Sequence, residues 1–147
     1  MTSTRSADGR VLFVYPGGPD RDLYLSALGE AGFTTNAEAT VAGAADLLAI
    51  EAAPDVIVME LLPDPAEAWA FIEWRCANAP DVPLIILTSL IRPDGSNRRK
   101  ARALGCAAFV AKPCSLLQLV DVVLRVRRGS RGLEISTYAE SGSSENH

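Results

Sequence analysis

Four short apolar runs constrain the fold more than any other feature: Val11 to Tyr15 (VLFVY), Val56 to Met59 (VIVM), Leu84 to Leu87 (LIIL) and Ala107 to Val110 (AAFV). None alternates apolar with polar residues, and turn residues flank each one. A strand that shows no polar face is covered on both sides, which is the condition inside a parallel sheet flanked by helices.

Helical patterns fill the intervals. Asp20 to Ala31 reads as the first helix, with Pro19 or Asp20 near its cap and Gly32 just past its end. Phe33 to Ala39 reads as a weaker strand at a sheet edge. Val41 to Ala53 is a second helix, stopped by Pro54. Pro65 to Ala77 is a third, with Asp64 at its N-cap and Pro65 at its first position. Ser96 to Leu104 is a short polar helix closed by Gly105. Ser115 to Arg128 is the last, capped by Ser115, with Arg125, Arg127 and Arg128 where the helix dipole favours cations. Five strands alternating with five helices predict one α/β domain with a parallel sheet and right-handed crossovers. The domain spans residues 10–128. Residues 1–9 read as a flexible N-terminus and 129–147, where periodicity ends, as a flexible C-terminal tail.

At 147 residues, 48% hydrophobic and 22% charged, the chain can bury a core without staples. No apolar run approaches the ~20 residues of a membrane span, and the first ten residues lack the apolar stretch of a signal peptide; a cytoplasmic protein is the expectation. Cys76, Cys106 and Cys114 show no CxxC spacing and read as reduced, buried thiols. The one histidine is His147, which leaves no histidine catalysis, ligation or phosphohistidine relay to expect. Residues 1–91 hold 4 Arg against 13 Asp and Glu, whereas 92–147 hold 10 Lys and Arg against 5 Asp and Glu. Such asymmetry marks either a partner surface or two faces of unlike charge.

Open α/β sheets bind ligands beyond the carboxyl ends of their strands. Those ends are Tyr15-Pro16-Gly17-Gly18, Glu60, Thr88-Ser89 and Lys112-Pro113. On these segments the chain resembles the receiver domain of two-component response regulators. Pro54 to Asp64 looks like the segment bearing that family's phosphorylated aspartate, and Pro83 to Ser89 like its fourth strand with a switch hydroxyl. Gly105 to Pro113 looks like its fifth strand, with an aromatic switch residue at Phe109 and a lysine before proline at Lys112. The resemblance covers residues 10–128. It implies a flavodoxin-like (βα)5, doubly wound, five-stranded parallel sheet of order 2-1-3-4-5.

The departures carry the functional expectation. Tyr15 and Pro16 stand where the family places an acidic pair for Mg²⁺, and Glu60 stands at its phosphoacceptor. Magnesium takes hard, mostly anionic oxygen ligands, so no metal and no cofactor are expected; Asp20 and Asp22 are expected to be held too far away by the start of their helix. Glu60 is either a partial phosphoaspartate mimic paired with Lys112 near Thr88, or a solvated strand-end acid. Lys112 either serves that site or merely balances Glu60, Thr88 is a switch hydroxyl or a strand-end β-branched residue, and Phe109 is a switch or a core residue. Tyr15 is expected to fill the vacated metal position, with its hydroxyl near Glu60.

The last helix is apolar nearly all round. With Leu116, Leu117, Val120, Val123 and Leu124 on the sheet, Leu119, Val122 and Val126 are left for a homodimer through the fourth helix, fifth strand and fifth helix. The alternative is a helix covered by the tail. Arg92, Arg98, Arg99, Lys100 and Arg102 form a basic strip suited to an acidic partner; no DNA-reading motif accompanies it. The expectation is a stand-alone, non-enzymatic, phosphorylation-independent receiver-like protein that contacts a signalling protein. A small-ligand-sensing module is the alternative, and residual phosphorylation at Asp64 or Asp55 is a lesser one.

Overall fold

A computed structural model of the chain describes residues 9–135. The elements are β1 (Arg10–Val14), α1 (Pro19–Glu30), β2 (Thr34–Glu38), α2 (Val41–Ile50), β3 (Val56–Met59), α3 (Pro65–Asn78), β4 (Leu84–Thr88), α4 (Ser96–Ala103), β5 (Ala108–Ala111), α5 (Leu116–Arg127) and β6 (Leu133–Ile135). All strand pairs are parallel, in the order β2-β1-β3-β4-β5-β6. The expected doubly wound α/β fold is present, with one strand more than expected.

Strand pleating sorts the apolar runs onto two faces. Val11, Phe13 and Tyr15 of the first run, with Val56, Val58, Ile85, Leu87, Ala108 and Val110, pack under α1 and α5. Leu12, Val14, Ile57, Met59, Leu84, Ile86 and Phe109 pack under α2, α3 and α4. Caps lie where the sequence puts them. The Asp64 side chain accepts from Glu67 N at 3.1 Å, and Ser115 and Gln118 form a reciprocal capping box. Helix α2 stops at Ile50 rather than Ala53, since the residues leading into Pro54 favour extended backbone. At the end of α3 the buried Arg75 guanidinium donates to Val82 O (3.3 Å) and Leu104 O (3.2 Å), tying α3 to the entry of β4 and the end of α4.

Two expectations are corrected. Leu119, Val122 and Val126, expected at a dimer surface, are core residues, 0%, 2% and 1% exposed, whereas Leu117 is 80% exposed. The stripe 119-122-123-126 stays apolar for two turns, while the stripe through Leu117 and Leu124 ends on Arg128; the longer apolar stripe turns inward. Regular structure also continues past Gly129. Leu133–Ile135 returns alongside β5, pairing Ala108 with Leu133, Phe109 with Glu134 and Val110 with Ile135. An apolar-acidic-apolar triplet is too short to announce a strand, but the open edge of β5 supplies the backbone partners that order it. Residues 1–8 and 136–147, the bulk of the two segments expected to be flexible, lie outside the described residues. Among the described residues no helix is long and apolar enough to cross a membrane.

Candidate functional site

The carboxyl ends of β1, β3, β4 and β5 converge on one side of the sheet, where the strand order reverses between β1 and β3. Ladder bonds extend each strand by one residue: Tyr15 N donates to Glu38 O (2.9 Å), Glu60 N to Val14 O (3.0 Å) and Lys112 N to Thr88 O (2.9 Å). Tyr15, Glu60 and Lys112 are therefore fixed by backbone as firmly as the strands themselves.

Glu60 is the centre. Its side chain is 3% exposed, and both carboxylate oxygens are engaged. Oε1 lies 2.7 Å from Lys112 Nζ. Oε2 accepts from the Thr88 hydroxyl and, at 3.1 Å, from Leu62 N. The Thr88 oxygen in turn accepts from Leu90 N at 3.0 Å, which orients the hydroxyl toward Glu60. Donors of this kind offset the hydration a carboxylate loses on leaving water.

Lys112 extends the network toward β1. Its ammonium donates to the Tyr15 hydroxyl, stands 4.6 Å from the Tyr15 ring centroid and lies 3.8 Å from Asp20 Oδ2. The Tyr15 hydroxyl donates to Asp20 Oδ2 at 2.7 Å. Burial, then the bond to Asp20 and the negative charges of Asp20 and Glu60, raise the Tyr15 pKa well above that of a free phenol. The same bond, assisted by the Lys112 charge, lowers the Asp20 carboxyl below its ordinary value. Behind Tyr15, Phe13 and Tyr24 complete an aromatic cluster with ring centroids 5.1 and 6.0 Å from Tyr15. Tyr24 OH lies 3.9 Å from Cys114 Sγ, and burial raises both groups.

The structure thus brings together Glu60, Thr88, Lys112 and Tyr15, and Glu60 is not a solvated leftover. The Tyr15 hydroxyl meets Lys112 and Asp20 rather than Glu60. Asp20, expected to be held away, belongs to the network: the Gly17-Gly18-Pro19 turn folds the start of α1 back over the end of β1. Asp22 does not, since it is exposed beside Arg21. Pro16 lines a neighbouring cavity of about 110 Å³ with Thr40, Met59, Leu61, Pro63 and Glu67. Phe109 is buried, 3% exposed, in the layer under α4. Arg99 is on the exposed side of α4, with Nη1 donating to Asp94 O at 2.6 Å. Asp64 caps α3, and Asp55, at the amino end of β3, accepts from Arg10 N at 2.8 Å; neither reaches Glu60's network.

This donor set does not fit a magnesium ion. Both Glu60 oxygens are engaged, Asp20 accepts from a phenol, the Pro16 side chain offers no oxygen, and the Lys112 ammonium stands between the two carboxylates. Near-octahedral oxygen coordination would have to displace that ammonium.

No family model matches the chain, and no curated protein does. Solved structures do. A LuxR-family DNA-binding response regulator from Silicibacter pomeroyi superposes with a TM-score of 0.73 at 18% identity, covering 88% of this chain and 98% of its own. The signal receiver domain of a signal transduction histidine kinase from Syntrophus aciditrophicus gives 0.71 at 24% identity, covering 82% and 91%. The chemotaxis response regulator CheY4 of Vibrio cholerae gives 0.69 at 21% identity, covering 80% and 97%. The fold is that of receiver domains.

Proposed function

We propose that this chain is a signal-transduction module of receiver fold in which a built-in charge network stands in place of phosphoryl chemistry, and which works by protein contact rather than as an enzyme. One observation carries the reading: both oxygens of the buried Glu60 carboxylate are engaged, by Lys112, Thr88 and Leu62 N. Metal-assisted phosphoryl transfer needs a cation to offset charge on the transferring group. Here the cation of the network is Lys112, already spent on Glu60. In this reading Glu60 holds Lys112 and Thr88 in one arrangement permanently, and three free thiols suit a cytoplasmic setting.

The partner surface we propose is the edge formed by α4, β5, α5 and β6. Arg99 donates to Asp94 O and Lys100 stands 4.7 Å from the Trp69 ring centroid, but Arg92, Arg98, Arg99 and Lys100 form no salt bridge with a carboxylate among the described residues, and this basic strip suits an acidic protein partner. The ligand-sensing alternative draws less support. The cavity beside Pro16 is about 110 Å³, well under the roughly 300–1,000 Å³ of common small-molecule pockets.

The test is incubation of the full chain with acetyl phosphate and Mg²⁺, followed by intact mass. The expected result is an unchanged mass. A stable adduct of one phosphoryl group, removed by Glu60→Gln, would overturn the reading.

A further inference from the structure

The far edge of the sheet carries an inference that stands whatever the phosphorylation test gives. We propose that β6 is an exchangeable strand: residues 133–135 close the β5 edge of their own chain or, reciprocally, that of a second copy, so that the chain dimerises by swapping β6.

The attachment of β6 is slight. It contributes three residues, its side chains are half-buried or exposed, and Leu133 N donates to Ala107 O at 3.1 Å where the strand begins. Its ion pair, Glu134 with Arg102 of α4, is exposed at 34% and 66% of the two side chains. Such a short edge strand opens at low free energy. Opening uncovers the backbone edge of β5 and the apolar layer on which Leu133 and Ile135 pack, a combination that seeks a new strand. The segment whose register, apolar spacing and acid match that edge is β6 itself, and a second copy presents it identically.

The hinge is equally local. The end of α5 is held through Ser130, whose N–H donates to Arg125 O at 2.9 Å, and Arg131 Nη1 donates to Val126 O at 3.1 Å. Gly132 follows with φ at +73°, a left-handed conformation that turns the chain back onto its own β5. A Cβ there meets nothing within 4 Å, so Gly132 is needed for its backbone alone. Straightening this one residue redirects β6 away from its own sheet. Closed monomer and exchanged dimer make the same contacts, so concentration and hinge strain decide between them.

A charge-swap mixture tests the exchange in the full chain. In a closed monomer, Arg102→Glu alone sets two carboxylates against each other across α4 and β6, and Glu134→Arg alone sets two guanidinium groups against each other. In an exchanged heterodimer of the two variants, both pairs become opposite in sign. Sedimentation of the 1:1 mixture should show a dimer fraction about tenfold above either variant alone. Gly132→Ala in the otherwise natural chain penalises only the closed turn and should raise the dimer fraction about fivefold. A mixture that stays monomeric with both chains folded by circular dichroism overturns the proposal. So does a variant that alone dimerises as fully as the mixture, or a folded Gly132→Ala chain no more dimeric than its parent.

Discussion

Lys112 and Glu60 share one ion pair but differ in what their removal leaves behind. Lys112→Met leaves a carboxylate that is 3% exposed, with Thr88 and Leu62 N as its donors among the described residues. Breaking a buried pair from one side costs about 3–5 kcal/mol, and residual access at Lys112, 16% exposed, places this loss at about 2–4 kcal/mol. The double variant Glu60→Gln, Lys112→Met should recover much of it. Urea unfolding of the four chains measures the coupling, and a value near zero refutes the pair's role as the site's anchor. Tyr15 and Asp20 set the pH dependence. The raised Tyr15 pKa contributes stability fully present below the ordinary tyrosine value of 10.0 and lost as pH rises beyond it. This is the direction for a group whose proton is held more tightly in the folded state. The lowered Asp20 pKa contributes stability present above the ordinary 3.8 and lost as pH falls through its folded value. Tyr15→Phe should return Asp20 upward toward that ordinary value in a carboxyl NMR titration; an unmoved Asp20 would show that Tyr15 is not its main partner. Glu60, Thr88 and Lys112 are legible in the sequence because each ends an apolar run, and position along a strand fixes position in space. Asp20 is not, because its place depends on how a Gly-Gly-Pro turn folds back.

Elements are legible as far as their periodicity extends. Four of the five expected strands and the five helices of the first 128 residues are bounded by Pro, Gly or a capping residue, whereas the polar β2 (TTNAE) carries little pattern of its own and is placed by pairing at the sheet edge. The faces of α5 are harder to read: with apolar residues on nearly every side, two stripes compete, and composition at the far end decides between them. Val122→Ala, at a position 2% exposed, should cost about 2 kcal/mol, and Leu117→Ala, at 80% exposed, less than about 0.5 kcal/mol. Denaturant midpoints decide the matter; equal losses would place the helix in a different rotation. Strand β6 escapes a reading of the sequence because three residues carry too little pattern, and because its cause is not local. It forms where an open β5 edge and the α4 residue Arg102 wait for it.

At the scale of the whole molecule the strand order converts an asymmetry along the chain into one across the sheet. The last third of the sequence, rich in Lys and Arg, builds α4, β5, α5 and β6, which together form one lateral edge. The rigid site and the adaptable edge thus occupy different ends of the same stability scale. Strands β1, β3 and β4 are flanked on both sides and buried throughout, apart from Arg10 at the start of β1. Their amides should exchange with solvent only through global unfolding, at about 5–15 kcal/mol. Among the described residues strand β6 has one neighbouring strand, with an exposed ion pair and a hinge at Gly132, so Leu133, Glu134 and Ile135 should exchange through a local opening of about 1–3 kcal/mol. Hydrogen exchange followed by mass spectrometry separates the two classes. Raising protein concentration should slow exchange at β6 alone if the opened strand is captured by a second copy, because capture competes with solvent for the same amides. Protection of β6 equal to that of β3 would mean that the edge never opens, and with it strand exchange would lose its first step.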